Sequence, residues 1–433
     1  MPHTPTMNNY LQAFVHAAGA ATVDMIVRFD AQRDTPELFE AASLQLPVLR
    51  ELMASLRLGI PLVPSSRIGS FGNFVRLPNH YRSVCFLIPG PDGELSGAIA
   101  FKGTEPLLPD FPDYLAWMLN APFRTSSLPL GLHFPLDMKL PPCAMWIDEC
   151  RHEQEISSRI QGQYLLEHGK LAKLPVPLFV MQLTTAQLER YRDCVRALLP
   201  TMAFDRVATK IAAGLGVEVY YYPSLPVRAA DLFTMEVKSA YRAVLNAKAL
   251  ERTFNHWIEL MADLLALGYM PYAPWHHGMG AYVDPGNACI DGGFNDLLTI
   301  VPFDSIPNGQ LLWVSLDQSI HLLAHSILTM CAGATGMMPP AQPEQFPAAV
   351  AYVNSRLRRY VRSRAHSARV DARLVRVLES PSVEDVCRHL RETQRDPGAA
   401  QFRQSQQAAS LVPSDAVGHF TGVPLAGSAP GNV

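Results

Sequence analysis

The chain has 433 residues, of which 48% are hydrophobic and 17% are charged, and its formal net charge at pH 7 is −3. This composition excludes a disordered or coiled-coil main body, and the small net charge gives no general attraction to nucleic acid or anionic lipid. The seven cysteines are never spaced as CxxC, which argues against a disulfide framework or a structural zinc module. Without a signal peptide or an apolar run of about 18 residues, a cytoplasmic protein with no membrane partner is expected.

An N-terminal helical region is predicted over residues 1–58. The segments TVDMIVRF and PELFEAASLQLPVLRELMASLRLG carry apolar residues at the three- and four-residue spacing that is typical of helices.

A β-containing lobe with a proline-rich insertion at 104–146 is predicted over 59–228. PGPDGE at 89–94 is a strong turn signal between two apolar runs and indicates an antiparallel hairpin. The predicted strands are 74–77, 83–90, 97–103, 175–183 and 217–225, with a helix at 148–172 before the fourth strand.

A mostly helical lobe with a catalytic loop is predicted over 229–395, followed by a disordered tail over 396–433. Two short apolar runs, NACID and LLTIVPF, flank the turn GGFND and predict a small hairpin within this lobe. Helices and strands therefore occur in separate parts of the chain, which indicates an α+β fold.

Four residues in the first lobe are candidates for phosphate binding. The turn RIGSFGNFVRL contains Gly69 and Gly72, and glycines let the backbone approach a phosphate closely. Lys102 ends an apolar strand, where its ammonium could reach ligand phosphates. Glu153, in the first part of the following helix, could pair with Lys102 and fix its position.

The segment 276–304 offers further polar candidates in a turn-rich setting. Asn287 precedes one predicted strand and Asp304 ends the next, so their oxygens could converge on one Mg²⁺. His277 and Asp284 lie in the loop before Asn287 and are candidates for the general base.

This order of features resembles the protein-kinase-like superfamily, including the aminoglycoside- and choline-kinase types and atypical members. The resemblance covers about residues 60–335 and implies a two-lobed core that uses ATP and Mg²⁺ to transfer a phosphoryl or nucleotidyl group to an unknown, small-molecule acceptor. It assigns Gly69, Gly72, Lys102 and Glu153 to nucleotide binding. It also assigns Asn287 and Asp304 to the metal. Asp317, which is expected to open the following helix, is assigned to bracing of the catalytic loop.

The general base stays open between His277 and Asp284. Kinases place the catalytic Asp five residues before the Asn, and that position is Tyr282 in this chain. A catalytically inactive nucleotide-binding or interaction protein is therefore an alternative.

A second alternative is a non-haem iron oxidase. Glu149 and His152 form an ExxH pair, which supplies di-iron ligands in helical bundles. His321 and His325 lie four residues apart, on one face of a predicted helix, and could bind a metal. The predicted strands argue against a four-helix bundle.

The stretch 354–376 holds eight arginines and one aspartate, so an acidic protein partner could dock on it. Leu357, Val361 and Leu374 are interleaved with the arginines and are expected to point inward. A nucleic-acid partner is not expected, because the chain as a whole is slightly acidic.

Overall fold

The structure is a computed structural model that describes part of the chain. The described residues are 25–57, 70–71, 74–75, 83–89, 95–103, 145–198, 201–233, 245–271, 283, 285–297, 300–305, 309–335 and 345–364. The predicted tail at 396–433 and most of the predicted insertion at 104–146 lie outside them.

The described residues form a mixed α+β fold, as the sequence predicts. The strands are β1 (Met25–Asp30), β2 (Ser70–Phe71), β3 (Phe74–Val75), β4 (Ser83–Pro89), β5 (Leu95–Lys102), β6 (Met145–Trp146), β7 (Val176–Leu183), β8 (Leu215–Tyr222), β9 (Tyr269–Pro271) and β10 (Ile300–Pro302). The helices are α1 (Ala31–Asp34), α2 (Pro36–Gln45), α3 (Leu49–Leu56), α4 (Ile147–His168), α5 (Thr185–Leu198), α6 (Thr201–Ala213), α7 (Ala247–Ala266), α8 (Gly309–Thr335) and α9 (Gln345–Arg364), with 3₁₀ turns at Ala229–Phe233 and Phe303–Ser305.

An antiparallel sheet of eight described strands organises the first half of the chain. Its order is β1-β7-β8-β5-β4-β3-β2, with the short β6 also paired to β8. The predicted hairpin is confirmed: β4 and β5 pair from Ser83 opposite Lys102 to Ile88 opposite Gly97. All eight residues of β8 are buried, so β8 is a central strand of the core.

The helical prediction for TVDMIVRF is wrong in part, because Met25–Asp30 forms the edge strand β1. Its partner is β7, with Met25 opposite Leu183. The β-branched residues Ile26 and Val27 suit a strand, and the edge of β7 supplies backbone hydrogen bonds that a sequence pattern cannot reveal. The helices α1, α2 and α3 confirm the helical prediction for the residues that follow.

The N-terminal helices share one hydrophobic core with the sheet. Phe39 of α2 and Met53 of α3 are buried in the same cluster as Phe179 of β7 and Val219 of β8. Contacts divide the chain into two compact units, and these helices belong to the first unit, which extends to Val227 and also includes Cys289–Leu298.

Helix α4 lies directly on the sheet because β8 carries glycine where the two meet. A Cβ at Gly216 would lie 2.8 Å from Sγ of Cys150 and 3.0 Å from Cδ1 of Ile147, both in α4. The helix ends at His168, four residues before the predicted end at 172, and Gly169 adopts φ 65° as its left-handed cap.

The second unit is mainly helical and contains 228–288 and the chain from 299 onward. Helix α9 packs with Leu357 and Val361 buried, as predicted, and Arg356 donates to Oδ1 of Asn255 in α7 at 2.7 Å. Arg364 forms an ion pair with Asp263 of α7. No described helix is both long and apolar enough to span a membrane.

Two predictions for the later part of the chain are wrong. NACID and LLTIVPF do not form a hairpin with each other, because β10 pairs with β9, whose residues lie about 30 positions earlier. Asp317 does not open the following helix, because α8 already begins at Gly309. In the first case β10 pairs with β9, which is distant in the chain, whereas the sequence predicted pairing with the nearby run NACID.

The close approach of α4 to β8 gives a testable prediction. Gly216→Ala is expected to lower the free energy of unfolding by about 1–3 kcal/mol, because the added methyl group would push the helix from the sheet. Gly162→Ala in the same helix is the matched control, since a Cβ there meets nothing within 4 Å. The control should raise the free energy of unfolding by about 0.5–1 kcal/mol. Urea unfolding measures both, and equal effects of the two substitutions would contradict the contact.

Candidate functional site

Lys102 occupies the last position of β5, and the sheet buries it. Its residue is 8% exposed, so its ammonium group requires a partner of opposite charge. In the sheet Lys102 lies opposite Ser83 on β4 and opposite Glu218 on β8. The side chains of cross-strand partners point to the same face of a sheet, so Glu218 and Lys102 are neighbours.

The predicted contact between Lys102 and Glu153 is present. Nζ of Lys102 donates to Oε2 of Glu153 at 2.7 Å, and Glu153 is completely buried on α4. The other carboxyl oxygen of Glu153 accepts a hydrogen bond from the backbone N–H of Leu297 at 3.3 Å. Glu153 therefore joins three parts of the first unit: strand β5, helix α4 and the segment 289–297.

Asp296 is a site residue that the sequence analysis missed. Its Oδ1 lies 3.6 Å from Nζ of Lys102, and its side chain is 29% exposed, so one side of this carboxylate faces solvent. Asp296 adopts φ 55°, a left-handed conformation that costs free energy for a residue with a side chain and often marks a functional site. The turn sequence GGFND could have indicated this conformation, because Asn and Asp tolerate it better than other residues with side chains.

Several hydrogen bonds hold the segment that carries Asp296. Oδ2 of Asp291 accepts from the backbone N–H of Leu225 at 2.8 Å, and the backbone oxygen of Asp291 accepts from Nζ of Lys173 at 2.6 Å. The N–H of Phe294 donates to the backbone oxygen of Lys173 at 3.0 Å. The N–H of Ile290 donates to the backbone oxygen of Val227 at 2.9 Å. Burial raises the pKa of Asp291, and the charge of Lys173 opposes this effect.

Gly293 allows the same segment to lie close to its neighbours. A Cβ at this position would lie 2.7 Å from the backbone oxygen of Lys173 and 2.7 Å from Oγ of Ser224. The side-chain amide of Asn295 donates to the backbone oxygen of Pro226 at 3.3 Å. The segment is therefore fixed to the chain on both sides of the turn that precedes Asp296.

Glu218 adds a second buried carboxyl group beside Lys102. It is completely buried, and neither of its oxygens has a hydrogen-bond partner among the described residues. Burial raises the pKa of Glu218 well above the ordinary carboxyl range, and the negative charge of Glu153 raises it further. The ammonium of Lys102 opposes both effects without cancelling them. These surroundings favour the neutral acid form of Glu218.

The structure does not bring together all the residues predicted for the site. Asn287 is buried. The backbone oxygen of the next residue, Ala288, accepts a hydrogen bond from the N–H of Ala229 at 2.8 Å. Asp304 is exposed in a 3₁₀ turn. The hairpin from which their convergence was predicted is not formed, so their joint metal role stays a prediction. The predicted residues Gly69, Gly72, His277 and Asp284 lie outside the described residues.

The residues proposed for an iron site do not converge. His152 is exposed on α4, and Nδ1 of His321 lies 2.8 Å from the backbone oxygen of Asp317 within α8. Burial lowers the pKa of His325, which favours its neutral form. Among the described residues, no group of three His, Cys, Asp or Glu side chains is placed to hold a metal ion.

Comparison with known protein families and with curated proteins finds no match for this chain. The geometry of the site is therefore the basis for its function: the buried ammonium of Lys102 lies between the buried carboxylate of Glu153 and the partly exposed carboxylate of Asp296.

The ion pair predicts a large effect when its cation is removed. Lys102→Met is expected to lower the free energy of unfolding by about 3–5 kcal/mol, because Glu153 would keep a buried charge without a partner. The double substitution Lys102→Met with Glu153→Met should restore more than half of that loss, since it removes both charges. Chemical denaturation measures the three free energies.

Lys170→Met is the matched control for this prediction, because Lys170 is exposed just after α4. It should change the free energy of unfolding by about 0.5 kcal/mol or less. A double variant that is less stable than Lys102→Met alone would contradict the assigned pairing.

Proposed function

We propose that this chain binds a nucleoside triphosphate with Mg²⁺ and transfers its phosphoryl or nucleotidyl group to an unknown acceptor. The observation that carries the proposal is the cluster of Lys102, Glu153 and Asp296. A lysine ammonium is a compact charge that suits phosphate oxygens. Glu153 would fix the direction of that ammonium, and the exposed side of Asp296 lies next to it.

The order of elements around this cluster supports the proposal. A hairpin, β4 and β5, ends in Lys102, a helix then supplies Glu153, and two further strands complete the sheet beside β5. This is the order that the resemblance to protein-kinase-like enzymes implies. The two-lobed arrangement of that superfamily remains part of the proposal.

The donor set fits a magnesium ion at Asp296. Mg²⁺ prefers oxygen ligands and is usually bound by one or two carboxylates together with substrate phosphates. Asp296 offers carboxylate oxygens on the solvent side of Lys102, whereas Glu153 is buried and already bonded on both oxygens. A bound Mg²⁺ would neutralise phosphate charge during transfer, and the chain itself would position and orient the phosphates through Lys102.

Catalysis by such a site would depend on positioning and electrostatics. Lys102 would hold phosphate oxygens, Glu153 would prevent the ammonium from turning away, and Asp296 would complete the charge balance on the ligand side. The acceptor and the general base are not assigned, because His277 and Asp284 lie outside the described residues.

Nucleotide binding is the first test of this proposal. ATP with Mg²⁺ is expected to raise the melting temperature of the wild-type protein, and isothermal titration should give a dissociation constant. Lys102→Arg keeps the positive charge but replaces the compact ammonium by a planar fork, so it should weaken binding at least about tenfold. Lys170→Arg, at an exposed lysine, is the control and should bind as the wild type does.

The outcomes separate the alternatives. Binding without transfer of the γ-phosphoryl or the nucleotidyl group to any acceptor would favour the inactive nucleotide-binding alternative. Absence of binding in the wild-type protein would overturn the proposal, and stoichiometric iron in the purified protein would favour the oxidase.

A second prediction distinguishes the two aspartates that could bind Mg²⁺. Asp296→Asn is expected to reduce ATP affinity in Mg²⁺ to the value measured in EDTA, because it removes one carboxylate charge. Asn tolerates the left-handed conformation at this position, so the fold should be retained. Asp304→Asn is the paired variant, and a loss of Mg²⁺ dependence only in Asp304→Asn would assign the metal to Asp304 instead.

A further inference from the structure

The cluster around Lys102 contains more carboxyl groups than cations. Glu153 bonds to the ammonium at 2.7 Å, Asp296 lies 3.6 Å from it, and Glu218 is its cross-strand partner on β8. One ammonium cannot compensate three ionised carboxyl groups in a buried setting, because each uncompensated buried charge costs several kcal/mol. At least one of the three groups should therefore be neutral when the protein is folded.

Glu218 is the member of the cluster that is suited to be neutral. Glu153 already accepts from the ammonium and from the N–H of Leu297, and Asp296 has access to solvent. Glu218 is completely buried, and neither of its oxygens accepts a hydrogen bond from a described residue. Ionisation of a fully buried carboxyl group beside the charge of Glu153 is unfavourable, whereas a neutral acid is tolerated there.

We propose that Glu218 is a positioning residue for Lys102. As a neutral acid it leaves the ammonium bonded to Glu153, and as a carboxylate it competes with Glu153 and draws the ammonium away from the ligand side of the site. The consequence for phosphate binding rests on the proposed function, whereas the competition for Lys102 does not. Loss of one proton from Glu218 is the only chemical change involved.

The titratable groups that face Glu218 lie on strand β5, on helix α4 and on its own strand, β8. Strand β5 contributes Lys102, and helix α4 contributes Glu153 and Cys150. Its own strand contributes Tyr220, whose pKa burial raises well above the usual range, so this hydroxyl stays neutral. Burial likewise raises the pKa of Cys150 well above the usual range. Strand β7 places Val180 opposite Glu218 and has no titratable residue.

The direction of the pH effect follows from these surroundings. The pKa of Glu218 is higher in the folded protein than in the unfolded chain, so the folded state binds the proton more strongly. Its contribution to stability is complete below the unfolded pKa, and it is lost as pH rises through the folded pKa. The free energy of unfolding should therefore fall as pH rises from the unfolded pKa of Glu218 towards its folded pKa. Lys102 should be disturbed at the upper end of this range, where Glu218 ionises in the folded protein.

The experiment compares melting temperatures of wild type and Glu218→Gln from about pH 5 to about pH 9. Gln keeps the size of the side chain and is neutral throughout. The wild type is expected to lose about 2 °C or more relative to Glu218→Gln across this range. Glu155→Gln, at an exposed glutamate of α4 that pairs with Arg159, is the control and should follow the wild-type profile. Parallel curves for wild type and Glu218→Gln would overturn the proposal.

A second readout reports on the position of Lys102. The dissociation constant for ATP with Mg²⁺ should rise about tenfold or more in the wild type as Glu218 ionises, and this rise should be absent in Glu218→Gln. If neither protein binds ATP at any pH, the proposed function fails, and the melting profiles still decide the role of Glu218. ATP binding with the same pH dependence in both proteins would overturn the role of Glu218 and leave the proposed function intact.

The wild-type protein provides a test that does not require a variant to fold. Protein labelled with ¹³C-carboxyl glutamate should show the infrared C=O stretch of a protonated acid near neutral pH. This band should disappear at the upper end of the pH range in which the melting temperature falls, where Glu218 ionises in the folded protein. Labelling of glutamate alone excludes the raised-pKa acids Asp291 and Asp317 as its source. Absence of the band at neutral pH would overturn the proposal.

Discussion

The buried ammonium of Lys102 is the interaction on which the arrangement of the first unit depends. A charge in this position requires a partner of opposite charge. Helix α4 supplies Glu153, and it lies close enough because Gly216 leaves space for Cys150 and Ile147. A surface glutamate on the same helix would not have this effect, since an exposed pair contributes little to stability.

The segment 289–297 shows how a strained residue is held beside this charge. Asp296 adopts a left-handed conformation that residues with side chains rarely occupy. The cost is offset by the hydrogen bonds of Asp291 to Leu225 and Lys173, and by the close approach that Gly293 permits. These contacts support the part of the segment that precedes the strained position. Removal of that support would change the position of the Asp296 carboxylate beside Lys102.

The sequence allowed part of this site to be predicted because its signals are local. A lysine at the end of an apolar strand and glutamates at the start of the next helix suggested the pair of Lys102 and Glu153, and this contact is present. Leu357 and Val361 revealed the buried face of α9 by their helical spacing. In VEVYYY a glutamate interrupts a fully buried strand, and this signal could have identified Glu218 as well.

The features that were missed depend on partners far away in the chain. TVDMIVRF was predicted to be helical because the free edge of β7, about 150 residues later, cannot be seen in its pattern. The hairpin predicted around GGFND does not form because β10 pairs with β9. As a result, the turn carries Asp296 to Lys102 instead of joining two strands. Polarity and spacing drew attention to this segment, but they did not single out Asp296, the aspartate that lies beside Lys102.

The path of the chain between the two units limits how this protein can be divided. The chain leaves the first unit after Val227, returns to it for Cys289–Leu298 and then leaves again. A fragment that ended at residue 227 would lack the N–H of Leu297 that bonds to Glu153, and it would also lack Asp296. It would expose the backbone of Lys173 and Leu225, which 289–297 covers in the whole chain. Dissection into domains by simple truncation would therefore damage the site itself.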